Sequence, residues 1–502
     1  MSDIPETDDA PAGRPESGKR PNTTTPAILR RLMQPVDIAG LVVFRIAFGL
    51  AVSAFAFKQL TGGALDYHYS RPQFFFTYWG FEWLSPLQGS GMPILFAILL
   101  LAASCVVIGL CYRLSIAVTF VAFTYVFLLE QTLYNNHYYL IVLLSLLMNF
   151  MPLHQAFSID ALRKPSFASS TAPGWMLWLL RFQLGIVYFF GGIAKLNADW
   201  LGGQPMRMWL ELKASYPGIG PYFTEDWCVQ LFVWGGILLD LFAVPLLLWR
   251  PTRTWMFAWT VVFHIMNSTL FHIGIFPWLM IVATTLFFPP SWPRHLLRLP
   301  GFASSVTNAT NDIQWSPRRR IAATLLGTYV LLQLVIPLRH HLYPGDASWT
   351  EEGHHFSWRM MLREKKSGIR FFGRTADGSH EGVIDIRPYL NERQAAVMCR
   401  NPEFIRQFAH WLAEESRRRL GQDVEVRARV LVSLNGRKPQ LLIDPRVDLA
   451  KQPKNWRHSD WIVPLVEPLR DEKWDLPLSM WEKTIDITRI PGEDDHASVV
   501  SR

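Results

Sequence analysis

From Asp37 to Leu338 long apolar runs alternate with short polar connections, a rhythm that predicts helices crossing a bilayer. Nine runs stand out, at roughly 38–58, 92–111, 114–133, 137–153, 175–195, 229–249, 254–271, 273–289 and 321–338. The fourth, seventh, eighth and ninth are short, which leaves tilt or partial insertion open there. Residues 1–36 are polar, rich in Pro, Thr and both charge signs, and lack the apolar core of a signal peptide. They predict an uncleaved, disordered tail.

From Arg339 the pattern changes to that of a water-soluble domain. Asp377-Gly378 and Asn435-Gly436 each separate two strand-like runs and predict tight hairpins. Between them, Ile405, Phe408, Trp411 and Leu412 recur at helical spacing within 402–420. The expected fold class is a polytopic α-helical membrane bundle of about nine spans followed by an external α+β domain. Its expected divisions are a cytoplasmic tail (1–36), a transmembrane domain (37–338), the external domain (339–490) and a disordered tail (491–502).

Composition agrees with this division: half of the 502 residues are hydrophobic and only 18% are charged, too apolar for an ordinary soluble enzyme. Lys and Arg gather in alternate connections, at Arg30, Arg31, Arg113, Arg163, Lys164, Arg250, Arg253 and from Arg294 to Arg320. That bias predicts a cytoplasmic N-terminus and, with an odd number of spans, a C-terminal domain on the opposite side. These loops also account for the net charge of +8, so nucleic acid is not an expected partner. Four cysteines without a CxxC pair indicate no structural disulfide.

Polar residues inside apolar runs carry the candidate chemistry, because hydrocarbon penalises each of them. Lys195 closes the run 175–194, and Arg181, Tyr188 and Lys195, spaced by seven, share one helix face. Lys195 is open to two readings: a side chain snorkelling to the interface, or an amine that desolvation makes a neutral base. The face itself reads equally as a structural polar seam. Glu130 to Tyr139, with Asn135, Asn136 and His137, joins two spans on the same side as Lys195. His264, Asn267, Ser268, Phe271 and His272 form a polar, partly aromatic face, suited to a polar ring with a greasy tail or to helix–helix hydrogen bonding. No HExxH, P-loop or GxGxxG occurs, and His340-His341 and His354-His355 are adjacent pairs. No catalytic metal is expected.

Several of these segments, in order, resemble one family. Asp37-Ile38-Ala39-Gly40-Leu41-Val42-Val43-Phe44-Arg45-Ile46-Ala47-Phe48-Gly49 resembles the opening of the horizontally transferred transmembrane domain (HTTM) family, whose members include the vitamin K-dependent γ-glutamyl carboxylases. Tyr134-Asn135-Asn136-His137, the Lys195 segment and His264-Ile265-Met266-Asn267-Ser268 look like carboxylase motifs. So do Phe356-Ser357-Trp358-Arg359-Met360-Met361 and Ile443-Asp444-Pro445-Arg446-Val447-Asp448 in the external domain.

The resemblance implies a carboxylase, a lyase with coupled vitamin K epoxidase activity. Lys195 would be the base that deprotonates a reduced vitamin K, phylloquinol or menaquinol. Oxygen would then convert the quinol to a strongly basic oxygenated species that takes a glutamate γ-proton. The carbanion captures carbon dioxide, and the quinone leaves as its epoxide. His137 would support carboxylation, with Asn136, Tyr188, His264, Asn267 and Trp358 at the quinone site. The implied partners are a Glu-containing peptide or protein, membrane lipid and quinone.

Two departures mark the chain: His354-His355-Phe356 stands where vertebrate carboxylases have Tyr-Gly-Tyr, and their inter-domain cysteine pair has no counterpart. The missing cysteine pair, with a short C-terminal region, points to a bacterial-type homologue of the inner membrane. Two alternatives accompany this reading: a quinol epoxidase without peptide carboxylation, and a non-catalytic membrane scaffold or transporter.

Overall fold

The structure, a computed structural model, describes residues 32–271, 274–298, 316–379 and 381–487. The expected tail up to residue 31, the tail at 491–502 and His272 lie outside them.

Apolar composition and local caps build the bundle helices: α1 (Ala39–Thr61), α2 (Gly91–Ile108), α3 (Tyr112–Leu129), α4 (Asn136–Asn149), α5 (Gly174–Ala194), α6 (Asp226–Leu248), α7 (Arg253–Phe271), α8 (Phe276–Thr284) and α9 (Pro317–Val335). The Asn135 side chain accepts the Tyr138 N–H and so caps α4, while α9 starts at Pro317 under a Ser316 cap. Among the described residues six helices are long and apolar enough to cross a membrane: α1, α2, α3, α5, α6 and the segment Pro317–Leu342 that contains α9. The expected nine are therefore not all of that kind. Helix α4 has 14 residues and α8 has nine, while the polar residues of α7 dilute its 19.

At one end of the bundle a short antiparallel pair, β1 (Pro35–Asp37) and β2 (Thr171–Pro173), ties the start of α1 to the start of α5. Arg45, fully buried in α1, donates there to the carbonyls of Leu153, Ala156, Val107 and Phe157. A guanidinium without a hydrogen-bonded carboxylate is tolerated because four carbonyl dipoles satisfy four of its five protons, leaving only the Nε proton without a partner. Helices α1 and α2 meet closely at Gly49, where a Cβ would stand 2.7 Å from Val107 Cγ2.

The C-terminal part is α+β. Strands β3 (Lys365–Thr375), β4 (Glu381–Ile384), β5 (Val424–Leu434) and β6 (Gln440–Leu441) form an antiparallel sheet in the order β4-β3-β5-β6. Both expected hairpin turns are present, and Asn435 and Gly436 take φ of 51° and 77°, the left-handed pair that a two-residue turn needs. Helices α10 (Glu392–Met398) and α11 (Pro402–Leu420) cover one sheet face. Phe404, Ile405, Phe408 and Leu412 of α11 share a buried core with Phe371, Val426 and Val430.

The sheet domain is keyed into the bundle at several points. Buried Glu130 accepts from Thr132 and from Gln394 of α10. Tyr134 accepts the Phe356 N–H at 2.7 Å. Asp199 receives Arg437 through two hydrogen bonds of 2.6 and 2.7 Å and Asn435 through a third of 2.7 Å.

Candidate active site

Lys195 is the residue after α5, where the helix can no longer bond its last carbonyls, and its side chain turns back over the helix end. Nζ donates to Gly191 O at 3.1 Å and to Asp240 Oδ2 of α6 at 2.6 Å. It also stands 5.4 Å from the centre of the Trp200 ring. Both side chains of the ion pair are almost closed to solvent, 8% and 6% exposed.

Two glycines let α6 come this near. A Cβ at Gly191 would stand 3.4 Å from Asp240 Oδ2, and one at Gly192 would stand 2.7 Å from Leu241 Cδ2. The rest of the segment is equally committed. Asn197 caps a short helix at Trp200, and Asp199 holds the external domain through Arg437.

The Lys195 amine lines a cavity of about 320 Å³, a size that suits a small-molecule ligand. His137, Tyr188, His264 and Asn267 line the same cavity. Five of the seven candidate residues thus converge, from α4, α5, α7 and the end of α5. The His137 ring stacks on Phe276 at 4.1 Å between centroids and 16° between planes, and its buried Nδ1 has no hydrogen-bond partner. Tyr188 and His264 share a 2.9 Å hydrogen bond, and Tyr188 also meets Thr284 at 3.4 Å. Trp259, Phe263, Met280 and Phe276 add apolar wall. The C-terminal part adds Met360 and Met361 to the chamber wall, the latter at φ 49°. Non-glycine residues held at positive φ recur at Glu351, Phe356 and Trp358 in the same loop. Strain of that kind persists where surroundings over-determine the backbone.

Asn136 and Trp358 do not line the cavity. Asn136 accepts from Tyr134 at 3.0 Å and contacts Arg359 O, so it braces the loop. Trp358 is fully buried against Tyr139. Arg181 shares the Tyr188 helix but donates to Leu286 O and Phe288 O near the end of α8, the structural end of the seam. Asp240 is the residue that sequence reasoning missed, although a lone carboxylate in Leu238-Leu239-Asp240-Leu241 is the kind of costly intramembrane charge that signals a site.

Beneath the loop that carries Met360 lies a buried charged cluster outside the membrane helices. Burial alone would raise the Glu351 carboxyl, but Arg363 and Lys365 hold it below the usual range. Burial lowers the Lys365 ammonium to about 8 despite Glu351. Burial keeps His354 well below, and His355 at about 4, so both rings are neutral at pH 7.

Two family models match the chain. Residues 33–292, more than half of it, match the HTTM domain, and residues 318–468 match the lumenal domain of vitamin K-dependent gamma-carboxylase. The chain belongs to the vitamin K-dependent gamma-carboxylase family. No solved structure matches it. The two matched regions meet at this cavity: the HTTM match contains Lys195, Asp240, His137 and His264, and the lumenal match contains Met360 and Met361.

Proposed function

We propose that the protein carboxylates peptide glutamate to γ-carboxyglutamate while oxidising a reduced naphthoquinone to its epoxide. The observation that carries this is the convergence of Lys195 and His137 on one cavity whose last wall comes from the external domain. A naphthoquinone is supported by a wall that carries the stacked His137–Phe276 rings, Lys195 and the Tyr188–His264 pair among apolar side chains. Lys195, His137, Tyr188, His264 and Asn267 would hold the head group. When bound, the reduced quinone, phylloquinol or menaquinol, supplies with oxygen the base strength that removes a glutamate γ-proton.

Within the pair, Lys195 would act as base once its ammonium proton has passed to Asp240 Oδ2, leaving a neutral amine to accept the quinol proton at the polar end of the cavity. Asp240 Oδ2 also fixes Nζ. His137 supports the carboxylation half from the cavity wall, its ring held by stacking on Phe276. Met360, Met361 and the aromatic walls exclude water from the reacting groups. Carbon dioxide is the second co-substrate, and no step is assigned to a metal.

The proposed domain division is a cytoplasmic tail, a transmembrane part to about residue 338 and an external part beyond it. The ends of α4 support opposite sides for the N-terminus and the external part. The helix starts beside Glu130 and Tyr134, which touch the external part, and is followed by Leu153 and Ala156 at the Arg45 end. The shorter helices α4, α7 and α8 then complete crossings with their flanking residues.

The test gives the purified protein reduced quinone, oxygen, a Glu-containing peptide and labelled bicarbonate. Wild type should form epoxide and labelled peptide together. Lys195→Ala should form neither, and His137→Ala should retain epoxide while losing label. Epoxide from wild type with no label in the peptide would overturn the carboxylase reading.

A further inference from the structure

Exposed apolar side chains do not stop where the membrane-length helices stop. On α2, Ile94, Ile98 and Leu101 recur at helical spacing and are all exposed, as residues that face lipid are. The strip continues past the helix start: a Cβ at Gly91 would stand 2.5 Å from Leu87 Cβ, so Leu87 covers the same face one turn further out. The loop before it sorts its apolar residues three ways. Phe76 enters the core of the C-terminal part, Tyr78 and Leu84 enter the bundle core, and Trp79, Phe81, Trp83 and Leu87 are left exposed. Trp83 is 75% exposed. A single exposed apolar residue is ordinary, but a run of them with two tryptophans marks a contact surface.

The depth of this loop is fixed by α3. Tyr78 meets Phe127 at 5.4 Å between ring centroids, and Tyr125 donates its hydroxyl to Ser85 O at 2.6 Å. Both partners lie in the last two turns of a helix long and apolar enough to cross a membrane. Headgroups add about 5–8 Å beyond the hydrocarbon on each side, and the exposed rings lie in that layer. The C-terminal part reaches the same level. Trp456, 67% exposed, packs against Trp79 at 4.6 Å between ring centroids. Lys454 of the same loop stands 4.9 Å from the centre of the Trp79 ring and donates to Glu82. Arg457 is exposed and makes no ion pair among the described residues.

We propose that Trp79, Phe81 and Trp83 of the first connection and Trp456 of the C-terminal part form one platform that rests on the phospholipid headgroup layer, so that both parts of the molecule grip the same leaflet. Three observations favour lipid as the occupant: the continuity with the outer face of α2, the depth set by Tyr125 and Phe127, and the residue types. Tryptophan settles at the membrane–water boundary because its ring is apolar and its N–H is not, and a basic neighbour such as Arg457 is attracted to headgroup phosphates. The platform does not depend on the chemistry proposed at Lys195.

The test places the photoreactive residue p-benzoylphenylalanine singly at position 83, 98 or 456 of the full-length protein in phosphatidylcholine–phosphatidylglycerol nanodiscs. After irradiation, adducts are mapped by mass spectrometry. Position 98, on the outer face of α2, should attach to acyl chains, whereas positions 83 and 456 should attach to the glycerol region or the first methylenes. If the Trp456 variant melts earlier than the Ile98 variant, the same substitution at Arg457 repeats the measurement from the neighbouring exposed position.

Lipid adducts at 98 and 83 with none at 456 or 457 would overturn the proposal, because the C-terminal part would then stand clear of the bilayer. Attachment of 456 to a second protein chain instead of lipid would overturn it as well and make the patch a protein interface.

Discussion

Lys195→Met and Asp240→Leu each remove half of a buried ion pair, and the double variant should be more stable than either single one. At 2.6 Å, with an effective dielectric constant near 20, the two charges attract by about 6 kcal/mol. Desolvating each ion costs several kcal/mol, so the net worth of the intact pair is small. A single substitution leaves the other charge buried with no opposite partner, which costs about 3–5 kcal/mol. The double variant removes both charges and retains only repacking losses, about 1–3 kcal/mol. Thermal melting in detergent, followed by tryptophan emission, reads the comparison. Double-variant losses equal to the sum of the two single losses would refute the coupling and detach Asp240 from the site. The cycle also decides how an inactive Lys195 variant is read: activity lost in a folded double variant is lost chemistry, not lost structure.

Three further outcomes follow from the packing and charges. Gly192→Ala should destabilise the bundle by about 1–3 kcal/mol because its Cβ meets Leu241, whereas Gly235→Ala should stabilise by up to about 1 kcal/mol; parallel melting curves check the contrast. Arg437→Met leaves buried Asp199 with only the Asn435 amide, so it should cost about 3–5 kcal/mol and expose the junction to protease; an unchanged digestion pattern would count against it. His354 and His355 stay neutral in the fold below the usual imidazole range. Between pH 6.5 and about 4 the unfolded chain therefore binds more protons, and stability is lost as pH falls. At pH 5 the His355 ring costs about 2 kcal/mol, which melting from pH 7.5 down to 5 should show and His355→Phe should lessen.

Much of this architecture is legible in one sequence because the strongest physical signals are local. The Asn-Gly and Asp-Gly turns, the 402–420 helix and the first apolar helix fall where turn chemistry and periodicity predict them. Lys195, His137, Tyr188, His264 and Asn267 were recognisable through their position in apolar segments and the family motifs, and they line one cavity. What sequence could not supply was pairing across distance. That Lys195 meets Asp240, 45 positions later, depends on two glycines admitting α6, and no spacing rule reports it. Trp358 and Asn136 illustrate the converse: their motifs are conspicuous, but their side chains brace the walls from outside. Of the nine expected spans, six are long and apolar enough to cross a membrane among the described residues, whereas α4 and α8 are short and α7 carries polar residues.

Five thioethers, Met206, Met266, Met280, Met360 and Met361, line the chamber in which the proposed reaction consumes oxygen. Methionine sulfur is the softest oxidisable atom among the apolar side chains, and its sulfoxide is polar. Any oxidant that escapes productive turnover meets these sulfurs before it meets solvent. Each catalytic misfire would then leave a sulfoxide in the wall until it is reduced, wet the apolar surface and loosen Met360 and Met361 from their seat. On the proposed reaction the lining would act as sacrificial insulation, and the number of turnovers, as well as folding stability, would limit the working lifetime of the protein.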